Sequence, residues 1–154
     1  MDDDVDFIRR RYDRIGNLHD LIVRLLFLPF GLRERAVEWI GLRPGDRVLE
    51  IGCGTGPNLG LLRDAVGPGG RVYGVDISAG MLTHARALCT RNGWRNVDLW
   101  QGDAIAYAAP EPLDGALFSL SYNTMPHHRA VLARTLDQLR PGGRIVVMDA
   151  KLPP

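Results

Sequence analysis

Residues 46–56 read DRVLEIGCGTG, and no other stretch limits the fold of this chain so strongly. Residues 47–51 form a short aliphatic run behind the turn pair Pro44 and Gly45, the pattern of a buried strand. Three glycines follow at alternate positions, Gly52, Gly54 and Gly56. A residue without a Cβ permits backbone angles and close approaches that others forbid, so this spacing predicts a tight loop bending beneath a ligand. Pro57 has no N–H and a fixed φ, which suits the first turn of a helix. The unit is strand, glycine loop, helix, and a plain turn between two elements is the bland alternative. A dinucleotide fingerprint beginning at Gly52 requires glycine where Pro57 stands, and one beginning at Gly54 requires it at Leu59. A P-loop requires Gly-Lys followed by Ser or Thr, which is absent.

The remaining pattern, Glu50-x-Gly52-x-Gly54-x-Gly56, closely resembles the first motif of class I S-adenosylmethionine-dependent methyltransferases. The resemblance implies that the loop passes under the methionine part of S-adenosyl-L-methionine, with Glu50, Gly52, Cys53, Gly54 and Gly56 as cofactor contacts. Residues 71–75 form a second strand, and Asp76 ends it, 20 residues beyond Gly56. A carboxylate there can accept from both ribose hydroxyls, which are neighbouring donors on a rigid ring. Ile77 resembles the family's apolar cofactor contact, while Met81 is divided between that role and the core. Gly102-Asp103-Ala104, after a third strand at 97–100, resembles the later cofactor motif. By that resemblance Asp103 accepts from the adenine amino group and the Ala104 N–H reaches a ring nitrogen, while apolar groups sandwich the base.

The opening Tyr12-Asp13-Arg14-Ile15 is similar to the tyrosine-aspartate segment of ubiquinone/menaquinone-type C-methyltransferases and related phospholipid N-methyltransferases. In that group the N-terminal helices cap the cofactor, which makes Tyr12 the candidate for closing over it. His19-Asp20 stands where a second tyrosine-aspartate pair is often found.

Strands and helices alternate through the rest of the chain, implying a parallel sheet covered on both faces. Ahead of the first strand, apolar residues at 5, 8, 12 and 15, then at 32, 36, 37, 39 and 40, mark two helices, with Trp39 docking the second on the sheet. Between them residues 18–30 are strongly apolar, and a cofactor cover, a substrate-facing lid and a lipid-touching patch compete for them. Residues 58–66 predict the helix after the glycine loop. Ser78 is placed as the cap of the next, which runs to about Asn92. A fourth strand is expected at 116–120, entered through Asp114 and Gly115; Asp114 matches an aspartate common ahead of this strand in the resembled family, which implies a structural role for it. A helix from His127 or His128 to Leu139 leads through Pro141-Gly142-Gly143 into a buried fifth strand at 144–148. The expected fold is an α/β three-layer, Rossmann-like sandwich of five mostly or wholly parallel strands in the order 3-2-1-4-5. Residues 1–41 form cap helices and residues 42–154 the cofactor-binding core. The resemblance covers about residues 12–150 and stops before the family's usual strands six and seven, as in a fragment or a chain whose fifth-strand edge pairs with a partner. Self-association through that edge is the partner expectation.

At 154 residues and a formal charge of +1, the chain is one domain's worth and has no basic footprint for nucleic acid. Cys53 and Cys89 show neither zinc nor disulfide spacing and suit a reducing, cytoplasmic setting; no signal peptide is apparent. His19, His84, His127 and His128 match no metal-ligand spacing, so no metal is expected. Methyl transfer from a sulfonium needs alignment, desolvation and, for some nucleophiles, a base. The loop after strand four is where a base is expected. There Ser119 joins the cofactor edge, His127 is the candidate base, Asn123 the orienting group and Tyr122 the stacking or bonding group. The function expected is methyl transfer to a small, partly apolar molecule such as a quinone precursor, lipid or secondary metabolite, with peripheral membrane contact open. The competing readings are an NAD-linked oxidoreductase and a cofactor-binding scaffold without catalysis.

Overall fold

The computed structural model of the chain describes residues 31–149 together with Asp6, Phe7 and Arg10; Tyr12 and most of the expected cap segment lie outside the described residues. Helix α1, Leu32–Ile40, leads into β1, Arg47–Ile51, and the glycine loop connects β1 to α2, Leu59–Val66. Strand β2, Arg71–Asp76, is followed by α3, Ala79–Arg91, and then β3, Val97–Gln101. Strand β4, Leu113–Ser119, is joined through α4, His128–Asp137, to β5, Leu139–Met148. The strands form one sheet in the order β3-β2-β1-β4-β5, and every neighbouring pair is parallel. This is the expected Rossmann-like α/β topology.

Side chains alternate across a strand, and β1 divides its residues accordingly. Val48 packs with Leu117, Val72, and the inner faces of α1, α2 and α3. Leu49 and Ile51 pack with Ala116, Phe118, Val75 and Val131 of α4 on the opposite face. The connections from β1 to β2 and β2 to β3 thus cover one face, and the return through β4 and β5 covers the other, as right-handed crossovers require. Between β1 and β4 the winding reverses, which opens a crevice at the carboxyl ends of those strands.

The sequence-based expectations fail where the chain leaves regular geometry. Trp39 does not dock α1 on the sheet: it is 62% exposed, because Ala36, Val37 and Ile40 form the buried stripe. That close seating depends on Gly115, where a Cβ would come within 2.2 Å of Ile40 Cγ2. Gly115 is therefore a strand residue under a helix, and β4 begins at Leu113. Pro57 lies in a turn ahead of α2 instead of in its first turn, and Asn58 is the N-cap. Leu120 falls outside β4, with φ 55°. Helix α4 ends at Asp137, so Leu139 belongs to β5, while Leu136 is exposed. Strand β5 starts earlier than expected, at Leu139, with a register irregularity between Leu113 and Gly115 of its partner. It is largely not buried, and Val147 is 44% exposed.

Asp114 ties the amino-terminal end of the sheet. Its Oδ2 accepts from the Arg47 N–H at 2.6 Å, and its Oδ1 pairs with Arg140 Nε. The Arg140 side chain is half exposed, so solvent screens that pair and the backbone bond carries most of the effect. Asp114→Ala is expected to cost about 1–3 kcal/mol through the orphaned backbone donor. Urea melts should show a lower midpoint with unchanged slope. A midpoint equal to wild type would remove this tie.

Candidate functional site

The glycine loop is fixed to its neighbour before it reaches any ligand. The N–H groups of Gly52 and Cys53 both donate to the Val75 carbonyl, at 2.8 and 3.0 Å. The loop glycines differ in their reasons. At Gly52, φ is 71°, and a Cβ would lie 2.4 Å from Ser121 Cβ, so its absence lets the loop after β4 come against the end of β1. Ser121 completes that approach by donating from Oγ to the Ile51 carbonyl at 2.6 Å. At Gly54, φ is 56° and, among the described residues beyond its chain neighbours, no atom lies within 4 Å of a built Cβ. Gly56 sits beneath, packed against Leu59 and Leu88, and does not line the cleft.

Asp76 joins the loop to the second strand. Its Oδ2 accepts from the Gly54 N–H at 2.8 Å and its Oδ1 from the Ser78 N–H at 2.9 Å. These bonds orient the carboxylate at the edge of the cleft. Ser78 caps α3 as expected, its Oγ accepting from the Met81 N–H. Asp103 begins the short 3₁₀ turn Ala104–Ala106, with Oδ1 accepting from the Ile105 N–H at 3.1 Å. None of the described residues donates to its Oδ2.

At the end of β1, Glu50 is 1% exposed. Its Oε1 accepts from Asn58 Nδ2 at 2.6 Å, and Asn58 Oδ1 in turn accepts from Arg33 Nη1 at 3.0 Å. Glu50, Gly52, Cys53 and Gly54 line one cleft with Asp76 and Ile77 from the second strand end, Asp103 and Ala104 from the third, and Ser119 from the fourth. Met81 also lines it while being almost fully buried. Ser119 Oγ is buried without a hydrogen-bond partner among the described residues.

The expected catalytic trio is not brought to this cleft. Leu120 takes a left-handed backbone, and the 3₁₀ turn Tyr122–Thr124 follows immediately. The reversal sends Tyr122 into the α4 side of the core, edge-on to Phe118 and His128 at centroid distances of 5.6 and 4.7 Å. Asn123 is exposed, its N–H donating to Asp149 Oδ2 at 2.8 Å. His127 is exposed at the start of α4, with φ 56°. Leu120, Ser121, Thr124, Met125 and Pro126 line the cleft in their place. The Ser121 hydroxyl is committed to Ile51, and the Thr124 hydroxyl donates to the Ser121 carbonyl at 2.9 Å. Arg33 and Asn58 were also missed. Asn58 stands two residues beyond the last loop glycine, a position that invites inspection, whereas nothing local marks Arg33.

Cys53 is buried in the loop, and desolvation first, then the carboxylates of Asp76 and Glu50, push its thiol well above the usual range. A raised thiol is neutral in the folded chain and ionises in the unfolded one above about pH 8.5. Its contribution to stability is therefore complete below that pH and is lost as pH climbs toward the folded value. Cys53→Ala should flatten the fall in urea midpoint above about pH 8.5. The same slope in both proteins would dismiss this effect.

Comparison with known proteins bears on the same strand ends. A family model described as methyltransferase domain matches residues 48–143. The chain is 35% identical over 139 residues to aklanonic acid methyltransferase DauC of Streptomyces sp. (strain C5), covering 90% of this chain and 62% of that one. It is 32% identical over 154 residues to 2-phytyl-1,4-naphtoquinone methyltransferase of Synechococcus elongatus, covering 96% and 65%. The chain thus spans less than two thirds of the length of these relatives. A solved S-adenosylmethionine-dependent methyltransferase from Aquifex aeolicus superposes with a TM-score of 0.65 at 23% identity, covering 86% of this chain and 76% of that one, a likeness of fold.

Proposed function

Since the chain belongs to the class I S-adenosylmethionine-dependent methyltransferases, we propose that it transfers a methyl group from S-adenosyl-L-methionine to a small, partly apolar acceptor. The observation that carries this reading is the meeting of the glycine loop, Asp76, Asp103 and Ser119 in one cleft at four adjacent strand ends. The residues present fit the cofactor. Gly54 has no described atom beyond its chain neighbours within 4 Å of a built Cβ, the Asp76 carboxylate is aimed by two N–H groups, and Asp103 keeps one oxygen without a donor among the described residues.

In this proposal Asp76 accepts from the ribose hydroxyls, Asp103 and the Ala104 N–H read the adenine edge, and Ile77 and Met81 pack on the base. Glu50 and the loop hold the amino-acid end. S-adenosyl-L-methionine supplies a methyl group already activated by its sulfonium, so a direct displacement needs no covalent enzyme intermediate. The chain's own part is alignment and exclusion of water. Leu120, Met125 and Pro126 offer an apolar wall beside Gly52, where the acceptor's nonpolar part would rest. Tyr12, outside the described residues, retains its expected role of closing over the site. Tyr122 and His128 support the wall from behind; Tyr122, Asn123 and His127 carry no step at the reacting atoms here.

Two relatives support an apolar ring system as acceptor, one named for aklanonic acid and one for a phytylated naphthoquinone. We place the activity in the cytoplasm, in keeping with two buried free cysteines; among the described residues no helix is long and apolar enough to cross a membrane. Contact with a lipid surface and pairing of a second copy along β5 stand as further partner proposals. The deciding experiment is calorimetric titration with S-adenosylmethionine, S-adenosylhomocysteine and NAD, then mass spectrometry for a gained methyl group on hydroxynaphthoquinone and anthraquinone acceptors. Tight NAD binding with no response to either sulfur compound would overturn the reading. Asp76→Asn should weaken S-adenosylhomocysteine by about 1.5–3 kcal/mol, because a charged acceptor for two donors is lost. Unchanged affinity would remove Asp76 from the cofactor site.

A further inference from the structure

We propose that Trp100 is a positioning residue: its indole, laid against the Gly102 backbone, holds the Asp103–Ala104 turn in place and so makes this chain discriminate adenine from hypoxanthine nucleosides. The inference rests on the cofactor reading above and adds to it a residue that does not itself line the cleft. Side chains alternate along β3. Val97 and Leu99 pack on the face covered by α2 and α3, while Trp100 stands on the other face beside Tyr107.

The β2–β3 ladder ends where Asp76 pairs with Gln101. Gly102 follows, its N–H donating to the Asp76 carbonyl at 3.0 Å, and a residue without a side chain is the most freely turning link before Asp103. The indole removes that freedom on one side. A Cβ built at Gly102 would lie 2.3, 2.7 and 2.9 Å from Cη2, Cζ3 and Cζ2 of Trp100, the outer edge of its six-membered ring. The same indole meets the Tyr107 ring beyond the turn, with centroids 5.4 Å apart. Tyr107 is buried, its N–H donates to the Ala104 carbonyl at 3.2 Å, and its carbonyl accepts from Arg134 Nε at 3.2 Å. One rigid side chain thus braces the segment 102–107 at both ends, with Asp103 and Ala104 between them.

That bracing matters because adenine and hypoxanthine differ at two adjacent atoms. Adenine presents an amino donor beside a ring-nitrogen acceptor, and hypoxanthine a carbonyl acceptor beside an N–H donor. A carboxylate that accepts and a backbone N–H that donates match the first pair and oppose the second at both atoms. The reversal excludes hypoxanthine only while the two groups keep their places; a turn free to shift can carry the carboxylate onto the ring N–H.

The competing explanation is that Trp100 merely packs β3. Calorimetry on the full chain with S-adenosylhomocysteine and S-inosylhomocysteine separates the two. Wild type should prefer the adenine ligand by roughly ten- to hundredfold, the range of hydrogen bonds gained against groups left opposed. Trp100→Phe keeps an aromatic ring on β3 but removes the edge that reaches Gly102. It should cut the preference by at least about fivefold, while S-inosylhomocysteine binds no more than about twofold more weakly than to wild type. Trp100→Ala should do the same. Equal weakening of both ligands assigns Trp100 to packing and overturns the proposal, as does an unchanged preference in the Phe variant. Equal affinity of wild type for the two ligands also overturns it, without any variant needing to fold. Binding of neither ligand by wild type overturns the cofactor reading as well.

Discussion

A carboxylate buried at the end of the central strand is the constraint to which the rest of the site answers. Glu50 is 1% exposed between a strand and a helix, where an ion without partners is strongly disfavoured. The Asn58 amide meets it from the residue just before α2, which fixes where that helix starts relative to β1. The glycine loop must then turn within the seven residues from 51 to 57, and it does so by placing two N–H groups on the Val75 carbonyl. That attachment makes the ends of β1 and β2 a single unit, and the Gly54–Asp76 bond extends it to the acid at the second strand end.

The strand-end half of the cleft, where we propose the cofactor lies, was legible because each of its signals is local and tied to a strand end. Glycines at alternate positions specify the loop, an acid closing an aliphatic run specifies Asp76, and Gly102-Asp103 after the third run specifies the next strand end. Parallel pairing then brings distant signals together without further information: Ile51 pairs with Val75 and with Phe118. The topology followed from the same alternation. Trp39 was misread since size alone argued for burial, while the stripe of Ala36, Val37 and Ile40 decides which side of α1 meets Gly115. The start of β5 was hidden by Pro141 and two glycines, which signal a turn but here lie within an irregular edge strand.

The acceptor half was not legible because its geometry depends on exceptions. Alternation continued from β4 through Leu120 would direct Ser121 and Asn123 to the same side, with Tyr122 opposite. Instead Leu120 adopts φ 55°, held by its N–H bond to the Met148 carbonyl at 2.7 Å. Such a backbone in a non-glycine residue costs on the order of 1–3 kcal/mol and persists only where neighbours enforce it. Here the enforcing contacts come from β5 and from Ser121 on Ile51, both far away in sequence. Aromatic and histidine side chains near the loop drew attention as chemistry, yet Tyr122 fills the core against Phe118.

These two halves imply different tolerances to change. The cofactor side is set by strand ends in a parallel register, so altering one of its groups disturbs the sheet that carries it, as the Gly54–Asp76–Ser78 bonds illustrate. The proposed acceptor wall, Leu120, Met125 and Pro126, belongs to a loop joined to the sheet through Ser121 Oγ and the Leu120 N–H. Side chains at Met125 and Pro126 lie beyond those attachments and can vary in shape without moving them. Change in this loop's side chains is therefore cheap in structural terms, whereas change at the strand ends is not. Gly52 is where the two requirements meet: its missing Cβ gives Ser121 room, and any larger residue there would displace the acceptor loop and the cofactor loop together.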